Sequence, residues 1–84
     1  MKIMKSLILL LVLMAQSAFA AVNVNKADAA TIAAELKGIG LSKATAIVAY
    51  REKNGPFKTV EQLTEVKGIG LKTVEKNRQE IQLK

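Results

Sequence analysis

Two identical pentapeptides, 30 residues apart, contain the residues of this chain best suited to binding chemistry. Lys37–Leu41 and Lys67–Leu71 both read Lys-Gly-Ile-Gly-Leu. Glycines leave the backbone N–H groups bare, and a helix that begins directly after them adds the positive end of its dipole. Such an arrangement binds anions, most often phosphate. Lys43 and Lys72 stand in the first turns of the helices that follow, where lysine is unfavourable unless an external anion offsets the repulsion.

The repeat predicts one set of binding residues in each half of the chain. Those of the first turn are Gly38, Ile39, Gly40, Ser42 and Lys43. Those of the second turn are Gly68, Ile69, Gly70, Lys72 and Thr73. We expect the two isoleucine side chains to fold inward as plugs between the flanking helices. The competing interpretation is that glycine only caps a helix and isoleucine only fills the core. Two copies on a basic chain favour phosphate binding.

Composition restricts the other classes of function. The chain carries 13 Lys+Arg against 7 Asp+Glu, a net charge of +6, which suits a polyanionic partner. It has no Cys and no His, which excludes thiol nucleophiles, imidazole bases and zinc fingers. Phe19, Tyr50 and Phe57 are too few for a platform that stacks single-stranded bases. With no catalytic constellation and no metal or cofactor motif, we expect a non-enzyme.

Helices must position the two turns, and the first half predicts two of them. Asp28 is a suitable N-cap for a helix whose inner face is formed by Ala29, Ile32, Ala33 and Leu36. Gly38 should end this helix. A second helix is expected from about Ser42 to Lys53, stopped by Asn54-Gly55-Pro56. Its inner residues would be Ala44, Ile47, Val48 and the stem of Arg51.

The second half repeats this plan. Thr59 to Gln62 reads as a capping box, followed by a short helix with Val60, Leu63 and Val66 inward and Gly68 at its end. A last helix is expected from Leu71 to Leu83, with Val74 and Ile81 inward. Asn77 falls near the same face, where an apolar residue would pack better. Because no segment alternates with period two, we predict no strand and an all-α fold.

The N-terminal 20 residues predict a secretory signal peptide. Lys2 and Lys5 precede the apolar run Leu7–Ala15, and Ala18-Phe19-Ala20 is a small-x-small cleavage pattern. Nine apolar residues are too few for a membrane span of about 20. We therefore expect cleavage after Ala20 and a periplasmic or otherwise exported domain at residues 21–84. Retention of residues 1–20 as a membrane anchor is the alternative.

The order of these blocks resembles the helix-hairpin-helix family, and specifically the short ComEA-type competence proteins. The blocks are Val22-Asn23-Val24-Asn25, Ala27, Leu36 to Ala44, Asn54-Gly55-Pro56-Phe57, Leu63 and Val66 to Thr73. The resemblance implies a double helix-hairpin-helix domain, a SAM-like helical bundle, at residues 21–84. It also implies that both hairpins hold phosphates of double-stranded DNA, largely independently of sequence and across the minor groove. Some hairpins of the wider family hold a monovalent cation, a point left open here.

The same resemblance implies a role in DNA uptake during natural transformation, with pilus or inner-membrane channel components as partners. The chain departs from the family at Lys26, Lys37 and Lys67, where small residues or proline are common, and at Asn77, where an apolar residue is usual. One alternative function is a periplasmic protein-interaction module built on the same hairpins, with Leu41, Leu71 and Tyr50 in an exposed patch. Another is a peptide that binds a membrane surface.

Overall fold

A computed structural model describes residues 21–84 as a mostly helical domain. Its elements are β1 (Val22–Asn23), α1 (Ala29–Glu35), α2 (Gly40–Asn54), a 3₁₀ helix (Glu61–Glu65), α3 (Leu71–Asn77), a second 3₁₀ helix (Arg78–Glu80) and β2 (Ile81–Gln82). Within residues 21–84, no helix combines the length and apolar character that a membrane crossing requires. The predicted signal peptide lies outside the described residues, so its cleavage site stays a prediction.

The first half contains the two helices that the sequence predicts, but α1 ends at Glu35 and not at Gly38, because Leu36 is already extended with a φ of −102° and a ψ of 128°. The Asp28 carboxylate accepts from the Thr31 N–H at 2.8 Å, which is the predicted N-cap of α1. α2 begins at Gly40, two residues before the expected start, because the glycine turn continues directly into the helix. It ends at Asn54, where Gly55 takes a φ of 90° and donates its N–H to the Arg51 carbonyl at 2.9 Å.

The third helix is a 3₁₀ helix of five residues rather than the expected α-helix. Thr59 Oγ1 accepts from the Gln62 N–H at 3.2 Å, as a capping box requires. The return contact differs, since Gln62 Oε1 accepts from the Lys58 N–H at 2.9 Å and not from Thr59. Between this cap and the next glycine turn, residues Glu61–Glu65 form the 3₁₀ helix. The tighter 3₁₀ form covers more distance per residue.

The prediction of a helix to Leu83 is wrong beyond Asn77. Asn77 has a φ of −110° and a ψ of 3°, and the chain then passes through the second 3₁₀ helix into β2. β2 pairs in parallel with β1, with Val22 opposite Ile81. The expectation of no strand is therefore also wrong. Two-residue strands are too short to show alternation, and this pair depends on the two ends of the domain meeting in space.

Apolar residues from every part of the domain form one core. Its buried members are Val22, Val24, Ile32, Leu36, Ile39, Ala44, Ile47, Phe57, Leu63, Val66, Ile69, Val74 and Ile81. Ile39 and Ile69 are each only 5% exposed, which confirms that both side chains fold inward into the core. The inward stem of Arg51 is likewise confirmed, since its Nη1 donates to the carbonyls of Val24 at 2.8 Å and Ala27 at 2.6 Å. These bonds fix the N-terminal segment against α2.

Candidate nucleic-acid interface

The two hairpin turns share a sequence but not a backbone conformation. The first turn, Lys37–Leu41, has positive φ at both of its glycines, 74° at Gly38 and 65° at Gly40. In the second turn, Lys67–Leu71, Gly68 has a φ of 92°, whereas Gly70 is extended with a φ of −97°. Three of these four positions therefore need glycine for conformational reasons.

Internal hydrogen bonds use some of the backbone N–H groups of the turns and leave others without an acceptor. The N–H groups of Gly38 and Gly68 have no acceptor among residues 21–84. The Ile69 N–H, by contrast, donates to the Val66 carbonyl at 3.1 Å. The Lys37 N–H donates to the side chain of Asn77 at 2.8 Å. The N–H groups of Gly40 and Gly70 likewise have no acceptor within this range, so both glycine amides of each turn can donate to an external anion.

The lysine of the first hairpin brings the two turns together. The aliphatic chain of Lys43 passes beside Gly68, with Cε 3.6 Å from the point where a Cβ would stand on that glycine. Lys43 is half-buried as a result, and its ammonium group extends from a stem packed against the second turn. Lys43 and Gly68, predicted for two separate turns, therefore lie next to each other.

The other predicted binding residues divide into exposed and internal groups. Ser42, Lys72 and all four turn glycines are exposed, and Thr73 is half-buried. The side chains of Ile39 and Ile69 lie in the core, so only their backbone can face a ligand. Phosphate contact by any of these residues remains a prediction.

Asn77 is a structural residue of the interface that sequence reasoning misjudged. It is 2% exposed, and its side chain forms three hydrogen bonds. Oδ1 accepts from the Lys37 N–H at 2.8 Å, and Nδ2 donates to the Lys37 carbonyl at 2.8 Å and to the Thr73 carbonyl at 2.9 Å. These hydrogen bonds hold the backbone of the first turn against α3. The repeat contained a hint, because its 30-residue offset aligns Asn77 with the fully buried Ile47.

Arg78 is paired with two carboxylates of the domain. Arg78 pairs with Glu61 at 2.7 Å and also with Glu75. Hydrogen bonds from the guanidinium lower the pKa of both carboxyls, and the same contacts raise the pKa of Arg78. Residues 21–84 form no other ion pair among themselves. Lys37, Lys67 and Lys72 are therefore exposed cations in or beside the turns.

The arrangement suits an extended polyanion better than a small substrate. Across residues 21–84, no cluster of three His, Cys, Asp or Glu could hold a metal ion. Free amides and lysine ammonium groups are spread over two neighbouring turns, and these groups donate hydrogen bonds and positive charge.

Comparisons with known proteins agree with this architecture. The family model of the helix-hairpin-helix motif matches residues 17–82. An uncharacterized protein of Haemophilus influenzae is 58% identical over 59 residues, which make up 70% of this chain and 53% of the relative. ComE operon protein 1 of Bacillus subtilis is 48% identical over 65 residues, which make up 77% of this chain and 31% of that protein. The chain thus spans about half the length of the first relative and about a third of the second. The matches confirm the ComEA-type resemblance.

Proposed function

The chain belongs to the helix-hairpin-helix family, and we propose that it binds double-stranded DNA through the backbone amides and lysines of its two hairpin turns. The observation that carries this proposal is the packing of Lys43 against Gly68, which joins the two turns into one surface. Two anion-binding turns on one surface can engage two phosphates at once. A duplex presents such phosphates along both strands.

Each turn would hold phosphates of one strand. In the first, Gly38 would donate its free N–H, supported by the exposed Ser42 hydroxyl and the Lys43 ammonium group. In the second, Gly68 would do the same, with Lys72 and Thr73 beside it. Gly40 and Gly70 would let the DNA backbone approach closely, because no side chain stands between.

Binding of this kind is independent of DNA sequence, since phosphate contacts position a protein without reading bases. Neutralising about two to four phosphates gives a slope of log K against log salt of roughly −2 to −4. No group on this surface has an evident catalytic role, and we assign the protein a non-enzymatic function.

A charge-reversal pair tests the proposal directly. Lys43→Glu with Lys72→Glu should weaken binding to all duplex sequences alike and flatten the salt dependence. Lys53→Glu with Lys58→Glu is the matched control, because it changes the net charge equally at the far end of α2 and beyond it. Fluorescence anisotropy with two unrelated duplexes across a salt series gives both quantities. Equal losses in the two double variants, or a salt-independent wild-type affinity, would refute the proposed site.

For the cellular role, we propose capture of DNA during natural transformation by an exported protein. The likeness to ComE operon protein 1 supports a role in competence. Cleavage after Ala20, a periplasmic location and contact with pilus or inner-membrane channel components belong to the same proposal. Mass spectrometry of the secreted or periplasmic fraction should find Ala21 at the N-terminus. An intact Met1 in the membrane fraction would favour the anchor instead.

A protein-interaction module remains the second candidate, because Leu41 and Leu71 are exposed. Tyr50 does not join them. It is half-buried and stacks on Phe57 with ring centroids 5.1 Å apart. Failure of the wild-type chain to bind duplex DNA at low salt would favour this alternative.

A further inference from the structure

Two exposed leucines are not explained by the fold. Leu41 and Leu71 are the large apolar side chains that residues 21–84 leave exposed, at 62% and 59%. They occupy equivalent positions of the repeat, directly after Gly40 and Gly70. Neither belongs to the core, and a polar residue would be the normal choice on the outer face of a helix. Core packing therefore gives no reason for an apolar residue at either position.

Each leucine directly follows one of the two turns, and the turns are linked by contacts between the two halves. Lys43 of the first hairpin packs beside Gly68 of the second, and Asn77 of α3 holds the backbone of Lys37. These contacts hold the two turns next to each other, and one exposed leucine follows each turn in the chain. Lysines adjoin both leucines in the chain, with Lys43 two residues after Leu41 and Lys72 directly after Leu71. The surface thus presents two apolar groups bordered by cations.

The minor groove of a DNA duplex is complementary to this pattern. Its edges are rows of phosphates, and proteins that bind it often place apolar side chains, leucine among them, against or between the bases. An anionic membrane surface also offers negative charge beside apolar material. However, a helix that lies in a membrane surface needs a continuous apolar face, and Ala44 and Ile47 of α2 are already buried in the core. Charge complementarity and the small apolar area favour the groove.

We propose that Leu41 and Leu71 enter the minor groove of bound duplex DNA and contact the deoxyribose walls between the two rows of phosphates. This inference depends on the proposed DNA-binding function and adds an apolar contribution to it. That contribution does not involve ions, so it does not weaken with salt. It also requires a groove, so it distinguishes a duplex from other polyanions.

The test replaces both leucines in the 84-residue chain. Leu41→Ser with Leu71→Ser should lower affinity for duplex DNA by about tenfold, because two partly buried leucine contacts are lost. The slope of log K against log salt should not change, since no charge is altered. Leu41→Met with Leu71→Met retains apolar side chains and should keep affinity within about twofold. Thermal unfolding of all variants should match the wild type, because both positions are exposed.

Heparin and lipid vesicles serve as the other probes. Heparin carries dense negative charge without a base-paired groove, so the serine variant should bind it as the wild type does. Unchanged duplex affinity in the serine variant, or an equal loss towards heparin, would overturn the inference while leaving DNA binding intact. A loss confined to vesicles of anionic phospholipid would assign the leucines to a membrane instead. If the wild-type chain bound no duplex, the proposed function itself would fail.

Discussion

Replacing Asn77 by leucine removes the side-chain amide that fastens the first hairpin turn. Leucine branches at the same carbon as asparagine, so it is the closest apolar match in shape. The change removes two hydrogen bonds to the Lys37 backbone and one to Thr73. At about 1 kcal/mol each, these bonds contribute about 3 kcal/mol. Burying two methyl groups instead of an amide returns about 1 kcal/mol.

The expected net loss is therefore about 2 kcal/mol. A domain of this size has a total stability of only about 3 to 10 kcal/mol, so the effect is large. It corresponds to a fall in Tm of about 10 °C. The Lys37 amide should also lose protection in hydrogen exchange, because Asn77 Oδ1 is its acceptor.

Urea denaturation followed by circular dichroism measures the stability, and two-dimensional NMR in D₂O measures exchange at Lys37. Asn54→Leu is the control, since Asn54 is exposed and donates one bond to the Tyr50 carbonyl at 3.0 Å. It should shift stability by no more than about 0.5 kcal/mol. The reasoning would be refuted if Asn77→Leu were as stable as the wild type and left exchange of the Lys37 amide unchanged.

Three further perturbations test other parts of the structure. Gly40→Ala should destabilise the domain by about 1 kcal/mol, because Gly40 has a φ of 65°. Gly70→Ala should leave thermal stability nearly unchanged, because Gly70 has a φ of −97° and open space around it. Equal effects of the two variants in thermal melts would contradict the different turn geometries. Arg51→Met keeps an apolar stem but loses the hydrogen bonds to the carbonyls of Val24 and Ala27. We therefore expect the free energy of unfolding, measured in urea melts, to fall by about 2 kcal/mol. Lys53→Met is the control and should be nearly neutral. Asp28, Glu61 and Glu75 have pKa values lowered by their hydrogen bonds in the folded state, from unfolded values of 3.8, 4.5 and 4.5. The unfolded chain therefore binds more protons at low pH than the folded domain does, so stability should be lost as pH falls below about 4. Urea midpoints that do not change between pH 6 and pH 3 would disprove this linkage.

Local sequence rules succeeded where one short segment determines the outcome. Asp28 caps α1 because its carboxylate accepts from an N–H only three residues later, so the contact depends on local sequence alone. Positive φ at Gly38 and burial of Ile39 follow from a glycine turn between two amphipathic helices. The repeat likewise located both glycine turns, and phosphate binding at them stays a prediction.

Tertiary contacts decided the features that were mispredicted. β1 and β2 pair residues from opposite ends of the domain, and no local sequence pattern predicts such a contact. Asn77 was judged a poor core residue because its partner, the Lys37 backbone, is 40 residues away. A buried amide is favourable only when its hydrogen bonds are satisfied, and the sequence alone does not show whether they are.

Contacts between the two halves hold the identical turns next to each other. Each hairpin supplies a side chain from its second helix to the turn of the other, Lys43 to Gly68 and Asn77 to Lys37. These two contacts are chemically different, since Lys43 uses its aliphatic stem and Asn77 uses its amide. They also come from different positions of the repeat, because the 30-residue offset aligns Lys43 with Thr73 and Asn77 with Ile47. Holding both turns in place before DNA arrives reduces the ordering that binding would otherwise require. If both turns bind phosphate as proposed, two weak sites fixed to each other in this way would bind a duplex more tightly than the same two sites on independent hairpins, because the second contact would form at a high effective concentration.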